Sequence, residues 1–318
     1  MDIWRIKPSY KNYVWGGTKL KERYNANSQE DKVAEVWALS CHTDGINTIM
    51  NGEMEGKILQ DVLVNKKYWG EHAQKFDRFP ILIKLLDAKM DLSVQVHPDD
   101  KLGWELEGEY GKTEAWYILE ADESTTLYYG MANDLSKEEF REAINNNTIL
   151  DCLNKVSVKQ GDVLFIEAGT IHALCIGAVV VEVQQNSNTT YRIYDYNRVG
   201  DDGKVRELHI EKSILASNLN KITPNLKPAG QAIKIEGGVT TLIAECEYFI
   251  EELYQIDSEV EIAIDENSFQ HILIIKNSGI LMSNGETYDF VQGDSFFIPA
   301  QKGTITVKGN CELIISRV

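Results

Sequence analysis

Four side chains of the types that bind divalent metal ions stand at or near the ends of short apolar segments. Two of them lie two residues apart in a run that alternates like a strand, which places both on one face of a sheet. Imidazole, carboxylate and amide groups form a mixed nitrogen and oxygen ligand set suited to zinc or a similar ion, and three strong ligands with one weak ligand leave room for substrate or water. The predicted metal ligands are Gln95, His97, Glu114 and His172.

The last of these ligands closes a segment that occurs twice in the chain. GDVLFIEAGTIH begins at Gly161 and GDSFFIPAQKGTIT begins at Gly293, and each runs through an apolar strand to Gly-Thr-Ile. The first copy then presents His172, whereas the second presents Thr306. We infer that one β unit was duplicated and that only the first copy retains a metal-binding side chain.

A single histidine in a strand is usually a structural residue, so most histidines of the chain carry no functional prediction. The metal hypothesis depends on the combination of the Gly-x-x-His turn with an upstream histidine and glutamate. The histidines interpreted as structural are His42, His72, His209 and His271.

Short runs rich in Val, Ile, Tyr and Thr, separated by Gly, Asp and Asn turns, predict a mainly β protein. Helical pattern is confined to residues 56–70 and to a segment that begins at Ser136, where Glu139 completes a capping box. A small helical insert is therefore predicted at about 132–156. A barrel of antiparallel hairpins would bring distant strand ends to one mouth. A doubly wound or TIM-barrel fold is disfavoured because strands and helices do not alternate.

The domain organisation is predicted from composition. The stretch from Lys221 to Gln231 holds two prolines and a glycine between patterned segments, which is typical of an inter-domain linker. We therefore expect a catalytic domain over residues 1–230 and a second β domain, without the metal site, over residues 231–318.

Charge and cysteine content narrow the possible partners and location. The net charge of −17 and the pI of about 4.8 argue against nucleic acid or an anionic membrane as a partner. The N-terminus has no apolar signal-peptide core, and no apolar run is long enough to span a bilayer. Five scattered cysteines without a C-x-x-C pair suit the reducing cytoplasm. The sequence leaves open whether the protein is a monomer or a homodimer.

Several motifs together resemble those of the cupin-type, class I mannose-6-phosphate isomerases (phosphomannose isomerases), in their shorter bacterial form. They are YVWGG, AEVWALS, LIKLLDAKMDLSVQVHPDD, GKTEAWYIL and GTIHALCIGAVVVEVQQNSNTTYRIYDYNR. The resemblance implies two cupin-like β-barrel (jelly-roll) domains. It also implies one zinc ion per chain, held by the same four residues that ligand chemistry selects, and cytoplasmic interconversion of mannose 6-phosphate and fructose 6-phosphate. The chain departs from the longest members of that family, because one cupin-like domain follows the catalytic region and the helical insert is short.

Such an isomerisation requires a base that moves a proton between carbons 1 and 2 through an enediol(ate). Glu182 is the leading candidate, because it is a charged group in an apolar strand and burial favours the neutral form of a carboxyl group. Alternatively, Glu182 forms a buried ion pair with Arg192 or another base, and zinc-bound water or Lys112 working with His97 carries the proton. The resemblance implies that Arg192 stabilises the enediolate.

The substrate phosphate is a dianion and would need a local excess of positive charge in an acidic protein. Zinc with one carboxylate ligand leaves a local charge of about +1. Arg198 matches a basic position of the family that is usually lysine, and an arginine can bind phosphate bidentately. Lys84 and Ser93 are further candidate phosphate ligands, and each could equally be a solvated strand residue.

Two other functions remain as alternatives at this point. One is another metal-dependent cupin enzyme, such as a dioxygenase, which normally has more histidine ligands. The other is a non-catalytic sugar-binding cupin protein, which a degenerate metal site would favour.

Overall fold

The computed structural model describes residues 2–199 and 203–318. Strands dominate this part of the chain, which confirms the mainly β class predicted from the sequence. The strands are β1 Trp4–Lys7, β2 Ser9–Lys11, β3 Glu35–Leu39, β4 Thr48–Ile49, β5 Ile81–Asp87, β6 Val94–Val96, β7 Glu114–Glu120, β8 Thr126–Met131, β9 Leu153–Ser157, β10 Val163–Ile166, β11 His172–Leu174, β12 Val179–Gln185, β13 Tyr191–Tyr194, β14 Ile233–Ile235, β15 Gly238–Glu245, β16 Ile250–Ile256, β17 Glu259–Ile264, β18 Gln270–Lys276, β19 Ser278–Ser283, β20 Glu286–Val291, β21 Ser295–Ile298, β22 Gly303–Lys308 and β23 Cys311–Arg317.

The helices of the described residues are short and lie between these strands. The α-helices are α1 Lys19–Arg23, α2 Leu59–Leu63, α3 Asp100–Glu107, α4 Lys137–Asn145 and α5 Ile210–Ala216, and the 3₁₀ helices are Gly52–Met54, Lys66–Tyr68, His72–Lys75 and Ile149–Cys152. No helix of the described residues has the length and apolar character needed to cross a membrane.

The chain divides into two compact units, and neither is continuous in sequence. The first contains the chain up to Lys11, residues 18–85 and the chain from Pro228 onward, and the second contains residues 12–17 and 86–227. The last change of unit, between Lys227 and Pro228, falls within the stretch predicted as a linker. The division into domains 1–230 and 231–318 stays a prediction.

The first unit contains two antiparallel sheets with an apolar core. One sheet has the order β14-β15-β16-β23-β18-β21-β1-β4, and the other has the order β17-β22-β19-β20. Strand alternation fills the core, since Val260, Ile262 and Ile264 are buried while the residues between them are exposed. The core also includes Phe290 of β20 and Phe296 of β21, so both sheets contribute to it.

The second unit contains a five-stranded sheet with the order β13-β6-β11-β8-β9 and a group in which β7 pairs with β10 on one side and β12 on the other. One face of the five-stranded sheet packs against helices. Val94 and Val96 of β6 share a buried cluster there with Phe140 of α4 and Ile214 of α5. The opposite face is thereby left for the side chains that alternate with these valines.

The two copies of the repeated segment have matching local structure. Gly161 and Gly293 both have positive φ, of 87° and 95°, which suits the tight turn before each strand. In each copy the strand begins two residues after this glycine, as β10 and as β21.

The helical predictions are partly right. The capping box is confirmed, because the Ser136 side chain accepts from the Glu139 N–H while the Glu139 carboxylate accepts from the Ser136 N–H. Residues 56–70 form only α2 and one 3₁₀ turn, and the prediction of just two helical regions is wrong. The segment before Glu114, for which no helix was predicted, contains α3, which the Asp99 side chain caps by accepting from the Leu102 N–H at 2.8 Å. Eight residues are too few to show a clear helical period.

Candidate metal centre

Side-chain alternation in β6 directs Gln95 away from the helices. Its neighbours Val94 and Val96 pack in the helix-facing cluster, so Gln95 emerges on the opposite face. His172 is the register partner of Gln95 on the adjacent strand β11. Two of the predicted ligands therefore stand side by side on one sheet.

A hydrogen bond to a neighbouring turn fixes the position of His97, which lies one residue after β6. Its carbonyl accepts from the Gly169 N–H at 2.8 Å, and this ties it to the turn that leads into His172. Gly169 has φ of 89°, and a Cβ atom there would lie 2.9 Å from the Ala216 carbonyl oxygen. A glycine is therefore required in this Gly-Thr-Ile-His turn.

Glu114 begins β7 and is fully buried. Asp100 of α3 anchors the chain before it, since its Oδ1 accepts from the Gly111 N–H and from the Gln185 side chain, both at 2.8 Å. Gln185 in turn accepts from the Thr113 N–H at 2.9 Å. The helix that the sequence did not predict thus positions the carboxylate.

Three of the predicted ligands converge. The Glu114 carboxylate lies 3.2 Å from Nε2 of His172 and 3.6 Å from Nε2 of His97. His97, Glu114 and His172 are all buried, and their ligand atoms lie within 4.8 Å of one another. Gln95 completes the group, since its side-chain amide lies 3.5 Å from Nε2 of His172.

The second ring nitrogen of each histidine fixes its tautomer. Nδ1 of His97 lies 2.8 Å from the Thr189 carbonyl oxygen, and Nδ1 of His172 lies 2.9 Å from the Thr170 carbonyl oxygen. A carbonyl oxygen can only accept, so each Nδ1 carries the proton and each Nε2 has an exposed lone pair. This is the orientation found for metal-binding histidines.

These residues fit a metal ion. Both Nε2 lone pairs face the Glu114 carboxylate, whose two oxygens accept no aligned hydrogen bond from any residue that the structure describes. Acceptors that face one another in a buried site repel unless a cation lies among them. The Lys112 ammonium lies near Oε2 of Glu114 and Nε2 of His97, and a metal cation would neutralise the other facing pair, Oε1 of Glu114 and Nε2 of His172. Ligands about 2.0–2.1 Å from a tetrahedral zinc ion are about 3.3 Å apart, close to the separations from Glu114 to the two rings.

The protonation states agree with metal binding. Burial alone would raise the pKa of Glu114, but Lys112 and the two histidines outweigh it, so that the pKa lies well below its usual range. Burial, reinforced by the charge of Lys112, lowers the pKa of His97 well below its usual value. At neutral pH the Glu114 carboxylate is therefore ionised and the His97 imidazole is neutral, as metal ligands must be.

Lys112 and Glu182 lie beside the cluster. Nζ of Lys112 is 2.9 Å from Glu114, 3.2 Å from Nε2 of His97 and 3.9 Å from the Glu182 carboxylate. Glu182 on β12 is the register partner of Trp116 on β7, and the Trp116 indole N–H donates to its Oε2 at 2.9 Å. Buried cationic, anionic and imidazole groups thus share one small volume.

Comparisons with known proteins identify the family of this chain. A model of the phosphomannose isomerase type I catalytic domain matches residues 3–126, and a model of the mannose-6-phosphate isomerase cupin domain matches residues 238–318. A mannose-6-phosphate isomerase of Streptococcus mutans serotype c is 34% identical over 308 residues, covering 95% of this chain and 94% of the relative. This chain belongs to the mannose-6-phosphate isomerase family. The recognition and the enzyme class predicted from the sequence are confirmed.

Solved structures of mannose-6-phosphate isomerases share the fold. The Bacillus subtilis mannose 6-phosphate isomerase superposes with a TM-score of 0.93 and 37% identity, covering 100% of both chains. A structure described as a zinc-bound mannose 6-phosphate isomerase gives a TM-score of 0.77 at 18% identity over 99% of each chain. With the cupin-domain match, these likenesses confirm the predicted cupin-like fold.

The arginine predicted to stabilise the enediolate in this isomerase family lies beside the ligands. Arg192 on β13 is the register partner of Gln95 on β6, so its side chain emerges next to that amide. Its Nη1 donates to the Glu207 carbonyl oxygen at 2.9 Å, and its backbone N–H donates to Nδ1 of His209 at 3.0 Å. The basic group that lies near Glu182 is Lys112, at 3.9 Å, so the alternative of a buried ion pair with a base other than Arg192 stays open beside the catalytic role.

The predicted phosphate ligands are more dispersed. Arg198 donates to the buried Asp195 carboxylate, with an Nη2 to Oδ1 distance of 2.5 Å. Ser93 is buried immediately before β6. Lys84 is buried in β5 of the other unit, and its ammonium lies 5.1 Å from the centre of the Trp37 ring. A phosphate-binding role for these three residues stays a prediction.

Sequence reasoning missed three residues of this region of the isomerase. Trp116 contacts both Glu182 and His172, with ring centroids of Trp116 and His172 5.3 Å apart. Its position two residues after Glu114 in a strand was a usable signal. Asp195 and Arg206, which form an ion pair, carried no signal because they come together only through the fold.

Proposed function

We propose that this protein is a zinc-dependent isomerase that interconverts D-mannose 6-phosphate and D-fructose 6-phosphate through an enediol(ate). The observation that carries the proposal is the convergence of two imidazole lone pairs and an ionised carboxylate in one buried site. Family membership favours this reaction over a dioxygenase or a sugar-binding protein. One relative described as zinc-bound supports the choice of metal.

The proposed zinc ligands are Nε2 of His97 and His172, the Glu114 carboxylate and the side-chain oxygen of Gln95. A half-turn of the Gln95 amide exchanges its nitrogen and oxygen with almost no change in shape, and so presents the oxygen to the site. A zinc ion bound there would supply Lewis acidity toward the substrate, a contribution of several kcal/mol.

We assign the proton transfer to Glu182. The Trp116 N–H donates to one carboxylate oxygen at 2.9 Å, and the other oxygen lies 3.9 Å from Lys112, which contacts Glu114. The Lys112 ammonium supplies positive charge beside the proposed base. A carboxylate with two fixed neighbours can take a proton from one carbon and return it to the next without leaving its place.

Arg192 and Lys112 are the groups proposed to stabilise negative charge that develops on the substrate. Arg192 stands beside Gln95 through strand pairing, and its position therefore depends on the same two strands that hold the amide. Fixed positive groups stabilise a developing oxyanion without having to reorient during the reaction. We place the enediolate oxygens of the substrate between Arg192 and Lys112.

We also propose that the protein works in a reducing compartment. The five cysteines are free, and burial raises the pKa of Cys41, Cys175 and Cys311, so none of these three is a reactive thiolate at neutral pH. We extend the proposal to one zinc ion per chain and to a cytoplasmic enzyme acting on a small sugar phosphate.

A coupled assay tests the proposal directly. Purified protein is supplied with mannose 6-phosphate, and fructose 6-phosphate is followed before and after treatment with a chelator and again after zinc is restored. We expect activity that disappears with the metal and returns with zinc, together with a metal content near one zinc per chain. A zinc-replete sample that forms no fructose 6-phosphate would refute the isomerase, and oxygen uptake would point to a dioxygenase.

A further inference from the structure

A second group of charged side chains lies after β13 and was not expected from the sequence. The carboxylate of Asp195 is buried and accepts from two arginines that are distant in the loop, Arg198 and Arg206. Arg206 donates through Nε to Oδ2 and through Nη2 to Oδ1, both at 2.6 Å. The two guanidinium groups therefore meet on a single carboxylate.

This group adjoins Arg192, the arginine next to the metal ligands. The Glu207 carbonyl that accepts from Arg192 immediately follows Arg206 in the chain. Burial lowers the pKa of Arg192, and the positive charge of Arg206 is the next largest cause. A chain of contacts thus runs from Gln95 through Arg192 to the segment that carries Arg206.

The balance of charge favours an anion at this place. Arg198 and Arg206 bind the Asp195 carboxylate, and Arg192 and Glu207 lie near them, so these three arginines and two carboxylates leave an excess of one positive charge in a protein of net charge −17. Arg198 and Arg206 each direct the Nε–Nη2 side of the guanidinium at Asp195. The N–H donors of Nη1 are not used on that carboxylate, and paired arginines bind phosphate oxygens well.

Backbone strain occurs at the same point. Tyr196 and Asn197 have φ of 55° and 53°, a left-handed conformation that is unusual for a bulky residue such as tyrosine. The strained turn lies between Asp195 and Arg198 and lets the side chain of Arg198 return to Asp195. Strain of this kind tends to concentrate at functional sites.

From these observations we infer that Arg206, together with Arg198, binds the phosphate group of the substrate and that Asp195 positions both guanidinium groups. Since a 6-phosphate lies at the opposite end of the sugar from carbons 1 and 2, it must bind some distance from the metal ligands. Asp195 follows Arg192 by three residues and lies just past the end of β13, whereas Arg192 pairs with Gln95 within that strand. The identity of the anion as a sugar phosphate rests on the proposed function.

The decisive variants are Arg206→Gln and Arg206→Lys, compared with Arg141→Gln. Arg141 is a matched control, because it is an exposed arginine of the same unit that is also paired with a carboxylate, Glu211. We expect Arg206→Gln to raise the KM for mannose 6-phosphate and the inhibition constant of inorganic phosphate by about 10- to 100-fold, the size of one charge-assisted hydrogen bond. The kcat should change by no more than about threefold, and Arg206→Lys should recover part of the affinity.

Other outcomes separate the two proposals. An unchanged KM and phosphate inhibition in Arg206→Gln, or a fall in kcat with KM unaltered, overturns the role of Arg206 and leaves the isomerase intact. If the wild-type protein does not isomerise mannose 6-phosphate, titration calorimetry with inorganic phosphate still compares wild type with Arg206→Gln. Equal phosphate affinity in that comparison overturns the inference, whereas weaker binding by the variant supports the site and removes only the proposed reaction. Melting temperatures of all variants identify any loss of folding.

Discussion

Oε1 of Glu114 lies 3.2 Å from Nε2 of His172, although the two residues begin strands that are not hydrogen-bonded to each other. Glu114 begins β7, which pairs with β10 and β12, whereas His172 begins β11, which pairs with β6 and β8. The candidate metal centre is therefore assembled by the packing of two groups of strands within the second unit. Each group supplies ligands that the other lacks.

Replacing His172 by alanine should remove the metal and the activity together. Loss of a hydrogen-bond partner of a ligand typically costs about 10- to 100-fold in metal affinity, so loss of the ligand itself should exceed that range. Zinc content measured by mass spectrometry after dialysis, and turnover of mannose 6-phosphate, check the prediction. His42→Ala, at a histidine of the other unit, should retain both. Full zinc content in His172→Ala would exclude this residue as a ligand.

Replacing Arg192 by alanine should lower turnover and leave the zinc content near that of wild type. Removal of one group that stabilises an oxyanion costs about 10²- to 10³-fold in kcat. Arg192→Lys keeps the charge but loses the guanidinium geometry and should be intermediate. Steady-state kinetics together with metal analysis make this comparison. An alanine variant with wild-type kcat would remove Arg192 from the mechanism.

Trp116→Phe tests whether the indole N–H matters to Glu182. Phenylalanine keeps an aromatic ring against His172 but cannot donate to the Glu182 carboxylate, which Trp116 contacts at 2.9 Å. We expect kcat to fall about tenfold, the worth of one charge-assisted hydrogen bond, with zinc content unchanged. Trp104→Phe, at an exposed tryptophan of the same unit, is the control. Equal kcat in the two variants would contradict an orienting role for Trp116.

The residues that converge at the candidate site could be selected from the sequence, because they stand in local patterns that have a physical meaning. Gln95 and His97 alternate in a strand that a proline follows, and His172 follows a glycine turn whose φ only glycine readily adopts. The mainly β class follows in the same way from residue types and turn signals. Local patterns of this kind depend on neighbouring residues and not on contacts between distant segments.

The parts that could not be predicted depend on contacts between distant segments. Arg206 meets Asp195 only because the chain returns to β13, and nothing in the residues around either one records that contact. The role of Asp100 in anchoring the chain before Glu114 likewise required α3, which is too short to reveal a helical period. Sequence reasoning misses residues whose function depends on contacts with residues that are distant in the chain.

A carboxyl group in the first unit should make stability depend on pH. Glu251 of β16 is fully buried, and neither of its oxygens has a hydrogen-bond partner among the residues that the structure describes. Ser316 on β23 is its register partner, and His271 on β18 is the register partner of Ser316 on the other side. Burial raises the pKa of Glu251 from 4.5 to about 8.

Between these two pKa values the folded protein holds a proton that the unfolded chain has released. The contribution of Glu251 to the free energy of unfolding must therefore fall as the pH rises from about 4.5 to about 8, by up to about 1.4 kcal/mol per pH unit. His271 acts in the opposite sense and at lower pH, because burial lowers its pKa from 6.5 to about 3. Above pH 6.5 the contribution of Glu251 is no longer offset by His271.

Glu251→Gln should remove this pH dependence, because glutamine has nearly the same shape and no ionisable proton. We expect urea denaturation of wild type to show a free energy of unfolding that decreases between pH 6.5 and pH 8.5, and the variant to show a flatter profile and higher stability at pH 8.5. Glu261→Gln, at an exposed glutamate of the same unit, should follow wild type. A Glu251→Gln profile parallel to that of wild type would mean that the buried carboxyl ionises as readily as in water, and that burial does not hold it in the neutral form.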